Sequence, residues 1–221
     1  MSGYFVTATG TDIGKTFVTA GLVKHLRQSG FAASALKPIV SGFTMETAST
    51  SDSGVLLTAM GEDITPVTLN RISPWRFAAP LSPDMAAARE GKAIDLDIVV
   101  RFCEDAVLAA PGTLFVEGVG GVMVPLERRR TVLDWMEALR FPVILVAGSY
   151  LGTISHTLTA LDCMARRNII VSALVISETG DGAVPLDETA AVLARFAPKV
   201  PIVTLTRHVP ANFAALWDAM R

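Results

Sequence analysis

The chain has 221 residues, of which 51% are hydrophobic and 18% are charged. This length is sufficient for a single α/β domain spanning residues 1–221, and the apolar fraction indicates a globular chain rather than a disordered one. The formal net charge of −2 provides no basic excess that would neutralise phosphates. We therefore expect neither a nucleic-acid partner nor a membrane partner, although a local basic pocket for a small phosphate is compatible with this charge.

The two cysteines, Cys103 and Cys163, lie in apolar, helix-like stretches. We expect two buried thiols rather than a disulfide or a nucleophile, and no zinc site, because no Cys/His cluster accompanies them. The chain enters an apolar segment at Tyr4 without a basic leader, and its apolar runs have the length of strands. These features predict no signal peptide and no membrane span, and they favour a cytoplasmic enzyme.

Short apolar runs alternate with amphipathic segments of helix length along the chain. The apolar runs are nearly continuous in hydrophobicity, which is typical of strands buried on both faces of a parallel sheet. The alternation predicts an α/β fold with a doubly wound, mostly parallel sheet and helices on both faces. The predicted strands cover 4–9, 33–37, 113–117, 143–147, 170–176 and 202–205, and the predicted helices cover 15–28, 52–60, 95–110, 131–139, 153–167, 186–196 and 211–220.

The segment 42–83 has the least regular pattern, with a Ser/Thr-rich run at 49–53 and four prolines. Its composition fits a plain surface excursion and a substrate-contacting segment equally well. Ligands of doubly wound sheets bind at the carboxyl ends of the strands. We therefore expect functional motifs directly after the predicted strands.

The first predicted strand leads into the loop Thr9-Gly10-Thr11-Asp12-Ile13-Gly14-Lys15-Thr16, which precedes a helical pattern. The loop is similar to the phosphate-binding sequence G-x-x-x-x-G-K-[ST], with Thr9 at the first glycine position. Gly14 lets the backbone turn into the helix, whose N-terminal amides bind phosphate. Lys15 reaches the β- and γ-phosphates, and the Thr16 hydroxyl is placed to bind Mg²⁺. These features predict a P-loop NTPase-like fold and nucleotide contacts from Asp12, Ile13, Gly14, Lys15, Thr16 and Phe17, with an ordinary strand-to-helix turn as the alternative.

Charged residues end two other predicted strands. Glu117 precedes Gly118-Val119-Gly120-Gly121, so its carboxylate is placed to hold Mg²⁺ or its waters, and the glycines let the backbone approach a ligand. Lys37 precedes Pro38 and would add a cation for an anionic substrate or transition state. The alternative at both positions is a charge in solvent. Asp52 begins a predicted helix, and the pattern alone favours a helix N-cap over a metal ligand there.

These segments together resemble the dethiobiotin synthetase family over most of the chain. The loop 10–16 is similar to that family's loop ending in Gly-Lys-Thr. Spaced motifs in the right order are more specific than a phosphate loop alone. The other matching segments are Lys37-Pro38-Ile39-Val40-Ser41-Gly42, Ser51-Asp52, Pro80-Leu81-Ser82-Pro83 with Glu90-Gly91, Glu117-Gly118-Val119-Gly120-Gly121 with Val124-Pro125-Leu126, and Leu151-Gly152-Thr153-Ile154-Ser155-His156-Thr157-Leu158-Thr159.

The resemblance implies an ATP-dependent ligase that uses Mg²⁺. Its reaction would convert 7,8-diaminononanoate, CO₂ and ATP to dethiobiotin, ADP and phosphate through a carbamate and a carbamic-phosphoric anhydride. It also implies a homodimer with the substrate's carboxylate tail near the interface. The resemblance favours Asp52 as a metal ligand beside Thr16 and Glu117. The implied catalytic residues are Lys37, Lys15 and Thr11, and the implied substrate contacts are Thr11, Lys37, Ser41, Pro80, Leu151 and Gly152.

The chain departs from the family's pattern at two places. Ala8 stands where glycine is usual, which suits the loop only if its backbone torsions are ordinary. Ser177 and Glu178 follow the predicted strand 170–176, at a place where the family commonly offers Asn to the nucleotide base. We therefore expect relaxed selection of the nucleotide base. The nucleotide contacts that the resemblance implies beyond the phosphate loop are Asp52, Glu117, Gly118, Val119, Gly120, Ser177, Glu178, Arg207, His208 and Val209.

Three other functions are weaker interpretations. A nucleotide-switch ATPase of the partitioning or iron-protein type typically carries an extra lysine early in the loop, where this chain has Thr9-Gly10-Thr11. A catalytically silent nucleotide-binding module would not need both lysines and both acids. A kinase for a small metabolite lacks a supporting catalytic-base motif. His156 is more typical of a helix surface or a satisfied core position, and we assign it no chemistry.

Overall fold

The computed structural model describes residues 2–179, 184–207 and 211–221. Within these ranges, strands and helices alternate along most of the chain. The strands are β1 (Ser2–Ala8), β2 (Ala33–Leu36), β3 (Ile39–Ser41), β4 (Trp75–Phe77), β5 (Thr113–Glu117), β6 (Val143–Gly148), β7 (Val171–Ser177) and β8 (Ile202–Leu205). The helices are α1 (Lys15–Gln28), α2 (Asp52–Ala59), α3 (Pro66–Ile72), α4 (Pro83–Arg89), α5 (Leu96–Ala109), α6 (Val132–Leu139), α7 (Thr153–Arg166), α8 (Leu186–Phe196) and α9 (Phe213–Ala219).

Six of the strands form one sheet in the order β2-β5-β1-β6-β7-β8, and every pairing in it is parallel. The chain starts at β1, moves to one edge of the sheet through β2, and then returns past β1 to β6, β7 and β8. The sheet is therefore doubly wound, as predicted. The direction of winding reverses beside β1, and ligands bind at such a reversal in open α/β sheets.

The helices cover both faces of the sheet. Helix α1 packs against α2 and α9, whereas α5 packs against α6 and α7 packs against α8. Right-handed crossovers place the first group on one face and the second group on the other. The sheet between them is apolar on both sides, which explains why its strands read as continuous hydrophobic runs. The predicted fold class is thus confirmed.

The irregular segment 42–83 contains more regular structure than its sequence predicts. It holds α3 and β4 besides α2, and β3 and α4 flank it. Strands β3 and β4 have three residues each and pair with one another, outside the main sheet. Helix α3 begins with a proline after the capping residue Thr65, whose hydroxyl accepts a hydrogen bond from the backbone N–H of Thr68. Elements this short show too few turns or alternations for a period to be recognised in the sequence.

The two cysteines are free, as expected. Cys103 is fully buried, and burial raises the pKa of its thiol, so this cysteine is a core residue. Cys163, on α7, is only half-buried, and its side chain packs against the hydrophobic core. The expectation of two buried thiols is therefore wrong for Cys163. Among the described residues, no helix is both long enough and apolar enough to cross a membrane.

The strand register places two charged residues side by side. Leu36 of β2 pairs with Val116 of β5, so the next residues, Lys37 and Glu117, are neighbours at the carboxyl edge of the sheet. Val6 of β1 pairs with Glu117, which brings this acid next to the strand that leads into the phosphate loop. The fold thereby collects the charged strand-end residues at one edge.

The close packing of the first turn of α2 against the preceding turn requires a glycine at position 54. A Cβ on Gly54 would lie 2.0 Å from the backbone oxygen of Ala48, which no flexible side chain can relieve. We predict that Gly54→Ala lowers the free energy of unfolding by about 1–3 kcal/mol and displaces the first turn of α2, measured by urea denaturation. The control is Val55→Ala on the same helix, at a partly exposed side chain, which should change stability by less than about 0.5 kcal/mol. Equal effects of the two substitutions would contradict the tight-turn explanation.

Candidate active site

The loop between β1 and α1 turns through two residues with left-handed backbone torsions. Asp12 has a φ of 57°, and Gly14, with a φ of 112°, directly precedes α1. Glycine adopts this conformation without strain, and a Cβ here would also lie within 2.7 Å of Ser177. Ala8 is absent from the described residues with positive φ, so its methyl group is compatible with the loop.

A cavity of 430 Å³ lies beside this loop. It brings together residues from the phosphate loop, the segment after β2, the start of α2, the glycine run after β5 and the end of β8. The predicted site residues that line it are Thr11, Asp12, Gly14, Lys15, Thr16, Phe17, Lys37, Ser41, Asp52, Val119, Gly120 and Arg207. Four lining residues were not assigned from the sequence, namely Val40, Gly42, Thr50 and Ser51. The Ser/Thr-rich run before Asp52 and the Lys-Pro-x-x-Ser-Gly segment were the signals for them.

Other predicted site residues lie around the cavity without lining it. Ile13, Glu117 and Ser177 are buried next to it, and Gly118 contributes its backbone oxygen to Lys37. Pro80 packs over Gly42, since a Cβ on that glycine would lie 3.2 Å from the Cβ of Pro80.

Leu151 and Gly152 are exposed at the N-terminus of α7 and do not line the cavity. His156 is also exposed, and its Nδ1 lies 2.9 Å from the hydroxyl of Tyr150. His208 and Val209 lie outside the described residues.

Lys37 lies at the centre of a buried charge cluster. Its Nζ is 2.6 Å from Oδ2 of Asp52, 2.7 Å from Oε1 of Glu117 and 3.0 Å from the backbone oxygen of Gly118. The side chains of Lys37 and Glu117 are 2% and 0% exposed, whereas that of Asp52 is 44% exposed. Two buried opposite charges stabilise one another here, because neither has access to water.

The Thr16 hydroxyl lies between the same two carboxylates. Its Oγ1 is 2.8 Å from Oδ1 of Asp52 and 2.7 Å from Oε1 of Glu117. A hydroxyl has one proton and can donate to only one of them at a time. The second carboxylate oxygen of Glu117, Oε2, is buried and has no hydrogen-bond partner among the described residues. Three oxygen-bearing side chains with unused acceptor capacity thus converge on one point.

The cluster perturbs the ionisation of its members. Burial opposes the charge on Lys37, but the carboxylates of Glu117 and Asp52 raise the pKa of this lysine above its ordinary value. Burial also opposes the charge on Asp52, yet Lys37 and the Thr16 hydroxyl hold the pKa of this acid below its usual range. Burial and the nearby Lys37 ammonium lower the pKa of Lys15 to about 8. Lys15 donates to the backbone oxygen of Gly10 at 3.1 Å and touches neither acid.

The pattern-based interpretation of Asp52 as a helix cap is wrong. The N-cap of α2 is Ser51, whose hydroxyl accepts a hydrogen bond from the N–H of Gly54 at 3.2 Å. Asp52 is the first helical residue, so its carboxylate extends from the helix start to Lys37 and Thr16.

The ends of β7 and β8 meet next to Gly14. The Arg207 guanidinium lies over the Phe17 ring, with its Cζ 4.4 Å from the ring centroid. Its Nε donates to the backbone oxygen of Glu178 at 3.1 Å. The carboxylate of Glu178 accepts a hydrogen bond from the backbone N–H of Arg207 at 2.6 Å. The hydroxyl of Ser177 is buried and has no partner among the described residues. A cation stacked on an aromatic ring thus closes this side of the cavity.

A phosphate loop at the winding reversal, with acids and lysines at the neighbouring strand ends, defines a P-loop nucleotide-binding α/β protein. The comparisons with known proteins agree with this class. A family model described as AAA domain matches residues 2–210. The fold is also similar to that of the MinD cell division protein of Aquifex aeolicus, with a TM-score of 0.55 and 10% identity over 100% of this chain and 86% of that chain.

Curated relatives are much closer in sequence. The chain is 45% identical to the ATP-dependent dethiobiotin synthetase of Acidiphilium cryptum, over 100% of both chains. It is 48% identical to the same enzyme of Methylobacterium nodulans, over 89% of this chain and 90% of the relative. The enzyme of Phenylobacterium zucineum is 44% identical over 100% of this chain and 95% of its own. The chain therefore belongs to the ATP-dependent dethiobiotin synthetase family.

The buried pair of Lys37 and Glu117 should dominate the stability of the site. We predict that Glu117→Gln lowers the free energy of unfolding by about 3–5 kcal/mol, because it leaves a buried ammonium without its buried partner. Asp52→Asn is the matched control and should cost about 1 kcal/mol or less, since Asp52 is half-exposed. A double-mutant cycle tests this dependence: denaturant unfolding is measured for Glu117→Gln, Lys37→Met and the variant that carries both substitutions. Additive effects in that cycle would show that the two residues do not depend on each other.

Proposed function

We propose that this chain converts 7,8-diaminononanoate, CO₂ and ATP to dethiobiotin, ADP and phosphate. The observation that carries this proposal is the convergence of two lysines, two carboxylates and a threonine hydroxyl on one cavity next to a phosphate loop. Bringing an anionic carbamate to the anionic γ-phosphate needs cations, and this cavity has them. Membership of the dethiobiotin synthetase family supports the substrate assignment.

The nucleotide phosphates would bind at the start of α1. No side chain among the described residues caps that helix N-terminus, so its first N–H groups are free for an anion. Lys15 would contact the β- and γ-phosphates from within the loop. Gly118, Val119 and Gly120 let the backbone approach the nucleotide from the end of β5.

Mg²⁺ would be held by Thr16, Asp52 and Glu117. Hard divalent cations prefer carboxylate and hydroxyl oxygens, and the buried Oε2 of Glu117 still has acceptor capacity. Among the described residues no group of three or more His, Cys, Asp or Glu side chains is placed to hold a metal ion, so the two acids would share the ion with phosphate oxygens and water. When bound, the ion supplies positive charge to the transferred phosphoryl group.

The carbamate would bind between Lys37, Thr11 and Ser41, all of which line the cavity. One substrate amine captures CO₂ as a carbamate, ATP phosphorylates the carbamate, and the second amine closes the cyclic urea and expels phosphate. The substrate's own amine makes the attack, so no nucleophilic side chain is needed. Pro80 packs on Gly42 and would shape the wall beside the substrate.

The substrate tail would be held near a homodimer interface. Leu151 is 88% exposed and Gly152 precedes α7 next to it, so neither serves the cavity of its own chain. An exposed apolar side chain of this size is more stable against a partner surface than in water. We infer that Leu151 and Gly152 contact the tail of the substrate bound by a second copy of the chain.

The base would lie near Ser177, Glu178 and Arg207. Glu178 is engaged by Arg207, whereas the buried Ser177 hydroxyl has no partner among the described residues and lies beside Gly14 of the phosphate loop. A single hydroxyl reads a base edge less completely than an amide, which offers a donor and an acceptor together. We therefore expect CTP or GTP to replace ATP in part, and full rejection of both would contradict this assignment.

The decisive assay measures ADP and dethiobiotin formed from Mg-ATP, with and without 7,8-diaminononanoate plus bicarbonate. We expect ADP formation to require the diamine and to match dethiobiotin formation one to one. ATP hydrolysis that is independent of the diamine, with no dethiobiotin, would rule out the proposed reaction.

Lys37 and Lys15 should have separable roles. We predict that Lys37→Ala abolishes turnover, because the carbamate loses its cation, while ATP still binds through Lys15 and the phosphate loop. Turnover is measured by dethiobiotin formation and binding by calorimetry. Lys15→Ala is the matched variant and should lose nucleotide binding. Loss of nucleotide binding in Lys37→Ala would mean that this division of roles is wrong.

Nucleotide binding should take up protons near pH 8. Because the pKa of Lys15 is about 8, about half of the free protein carries a neutral Lys15 at this pH, and bound phosphates favour the charged form. We predict uptake of about half a proton at about pH 8, almost none at about pH 6, and an affinity that decreases as the pH rises above about 8. Calorimetry in buffers of different ionisation enthalpy measures the uptake. Lys15→Arg keeps a cation that stays charged at this pH, so it should bind the nucleotide without this uptake, and equal uptake by this variant would assign the proton elsewhere.

A further inference from the structure

We propose that the Arg207 guanidinium binds the α-phosphate of the nucleotide, as a further cation of the cavity beside Lys15 and Lys37. This inference rests on the proposed function, since it concerns the nucleotide that the proposed reaction consumes. It assigns Arg207 to the phosphate chain rather than to the base, so the contact would be the same for every nucleoside triphosphate.

The first observation is the position of the guanidinium at the start of α1. Arg207 follows β8 and lines the cavity. Its Cζ lies 4.4 Å from the centroid of the Phe17 ring, and its Nη2 lies 2.6 Å from the point that a Cβ on Gly14 would occupy. Gly14 directly precedes α1, whose first N–H groups have no side-chain cap among the described residues. The guanidinium therefore lies beside the backbone amides that bind phosphate in such a loop.

The second observation is that the guanidinium is not paired with an acid within the described residues. Its Nε donates to the backbone oxygen of Glu178 at 3.1 Å. The Glu178 carboxylate accepts from the backbone N–H of Arg207, and the terminal guanidinium nitrogens donate to no residue that the structure describes. The hydroxyl of Ser177, 2.7 Å from the same point at Gly14, also has no partner in this part of the chain. Unpartnered polar groups beside a phosphate loop indicate a ligand, and a guanidinium among them indicates an anion.

The topology of the sheet decides which phosphate Arg207 would reach. Glu117 ends β5 on one side of β1, whereas Arg207 follows β8 on the other side. Thr16 and Asp52, the other proposed metal ligands, belong to the cluster around Glu117. The metal of a P-loop protein binds at the β- and γ-phosphates, so the γ-phosphate would lie toward β5 and the nucleoside toward β7 and β8. Arg207 lies at the nucleoside end, where the α-phosphate is the nearest anionic group.

The position of Lys15 agrees with this direction. Its Nζ donates to the backbone oxygen of Gly10 at 3.1 Å, and the nitrogen of Gly10 lies 3.3 Å from the point that a Cβ on Gly121 would occupy. Gly121 belongs to the glycine run after β5, so the Lys15 ammonium lies on the β5 side of the loop. The two cations thus flank the phosphate loop, with Lys15 toward the β- and γ-phosphates and Arg207 toward the α-phosphate.

Stacking on Phe17 holds the guanidinium in place before the nucleotide binds. Phe17 packs in turn against Phe213 of α9, with the ring centroids 5.5 Å apart. A planar guanidinium can keep one face on a ring while its N–H edge donates to a phosphate oxygen, which an ammonium cannot do. Arg207 would therefore lose less conformational freedom on binding than a side chain that is free in solvent.

A contact with the α-phosphate should affect binding and not the chemical step. In the proposed reaction the charge changes at the γ-phosphate and at the carbamate, whereas the α-phosphate keeps its charge. An interaction that is equally strong in the ground state and in the transition state lowers KM without changing kcat. The contact also does not depend on the base, which agrees with the relaxed base selection expected from Ser177.

The first experiment measures the kinetics of dethiobiotin formation, and the binding of Mg-ATP to the full chain by calorimetry. We expect Arg207→Met to raise the KM for ATP and to weaken ATP binding by a similar factor, on the order of tenfold, with kcat changed by less than about twofold. The matched control is Arg195→Met, which removes an exposed arginine that stacks on Phe196 at the end of α8, outside the cavity. This control should change KM and affinity by less than about twofold.

The second experiment locates the contact on the nucleotide. The two diastereomers of adenosine α-thiotriphosphate carry sulfur in place of one or the other free oxygen of the α-phosphate. The loop amides and Arg207 approach this phosphate from different sides, so the two positions are not equivalent, and sulfur accepts a hydrogen bond more weakly than oxygen. We expect the ratio of the two affinities to differ by at least about threefold between the unmodified chain and Arg207→Met. Arg207→Lys keeps the charge and should give an intermediate ratio.

Three results would overturn the inference. Equal KM and affinity in Arg207→Met and the unmodified chain would remove Arg207 from the nucleotide site. A loss of kcat at unchanged KM would place Arg207 at the transferred phosphate. Weaker ATP binding with an unchanged ratio of the two diastereomers would place the contact on another part of the nucleotide.

Folding of the variants is followed by their melting temperatures. Arg207 is exposed, so Arg207→Met should unfold at nearly the same temperature as the unmodified chain. If Arg207→Met is unstable, the milder Arg207→Lys carries the test, because it keeps the charge and loses only the planar fork of donors. An unchanged ratio of the two diastereomers in a folded Arg207→Lys would then contradict the inference.

The binding measurements separate this inference from the proposed function, because they require no turnover. A changed ratio of the two diastereomers in Arg207→Met, without any dethiobiotin formation by the unmodified chain, would leave the α-phosphate contact intact and refute the reaction. Dethiobiotin formation by the unmodified chain, with an unchanged ratio in Arg207→Met, would leave the reaction intact and refute the contact.

Discussion

The rest of the site depends on one buried ion pair, between Lys37 and Glu117. With exposures of 2% and 0%, neither side chain can be neutralised by water, so each requires the other. This requirement constrains the fold, because the pair forms only if β2 lies beside β5 in the observed register. It also constrains the chemistry, since it fixes one positive and one negative charge at the end of the cavity next to the phosphate loop.

Two lysines with different surroundings line the cavity. Lys15 lies within the phosphate loop with its pKa lowered to about 8, whereas Asp52 and Glu117 hold Lys37 and raise its pKa. The lysines are therefore not equivalent, because one is poised near neutrality and the other is firmly charged. This difference in pKa suits a reaction in which one lysine binds phosphates and the other binds a carboxylate-like substrate.

The fold could be predicted where the sequence pattern is long enough to have a period. Helices α1 and α8 and strands β5 and β8 begin and end at the predicted residues, because each joins a continuous apolar or amphipathic pattern to a clear turn. Strands β3 and β4 could not be predicted, since three residues of strand pair only in their tertiary context. The same limit explains Asp52, because the choice between Ser51 and Asp52 as the cap depends on the turn geometry that Gly54 allows.

The sequence by itself determined the chemistry at each strand end: a phosphate loop after β1, a lysine after β2 and an acid ending β5. These are local properties, and apolar runs followed by charged or glycine-rich residues reveal them directly. Only the tertiary structure decided that Lys37 contacts Glu117, 80 residues away, and that Thr16 reaches the same acid across 101 residues. Strand order and register arise from packing between distant segments, so no local pattern encodes them. That packing brought three separate motifs into one cluster and placed Lys37 in contact with both Asp52 and Glu117.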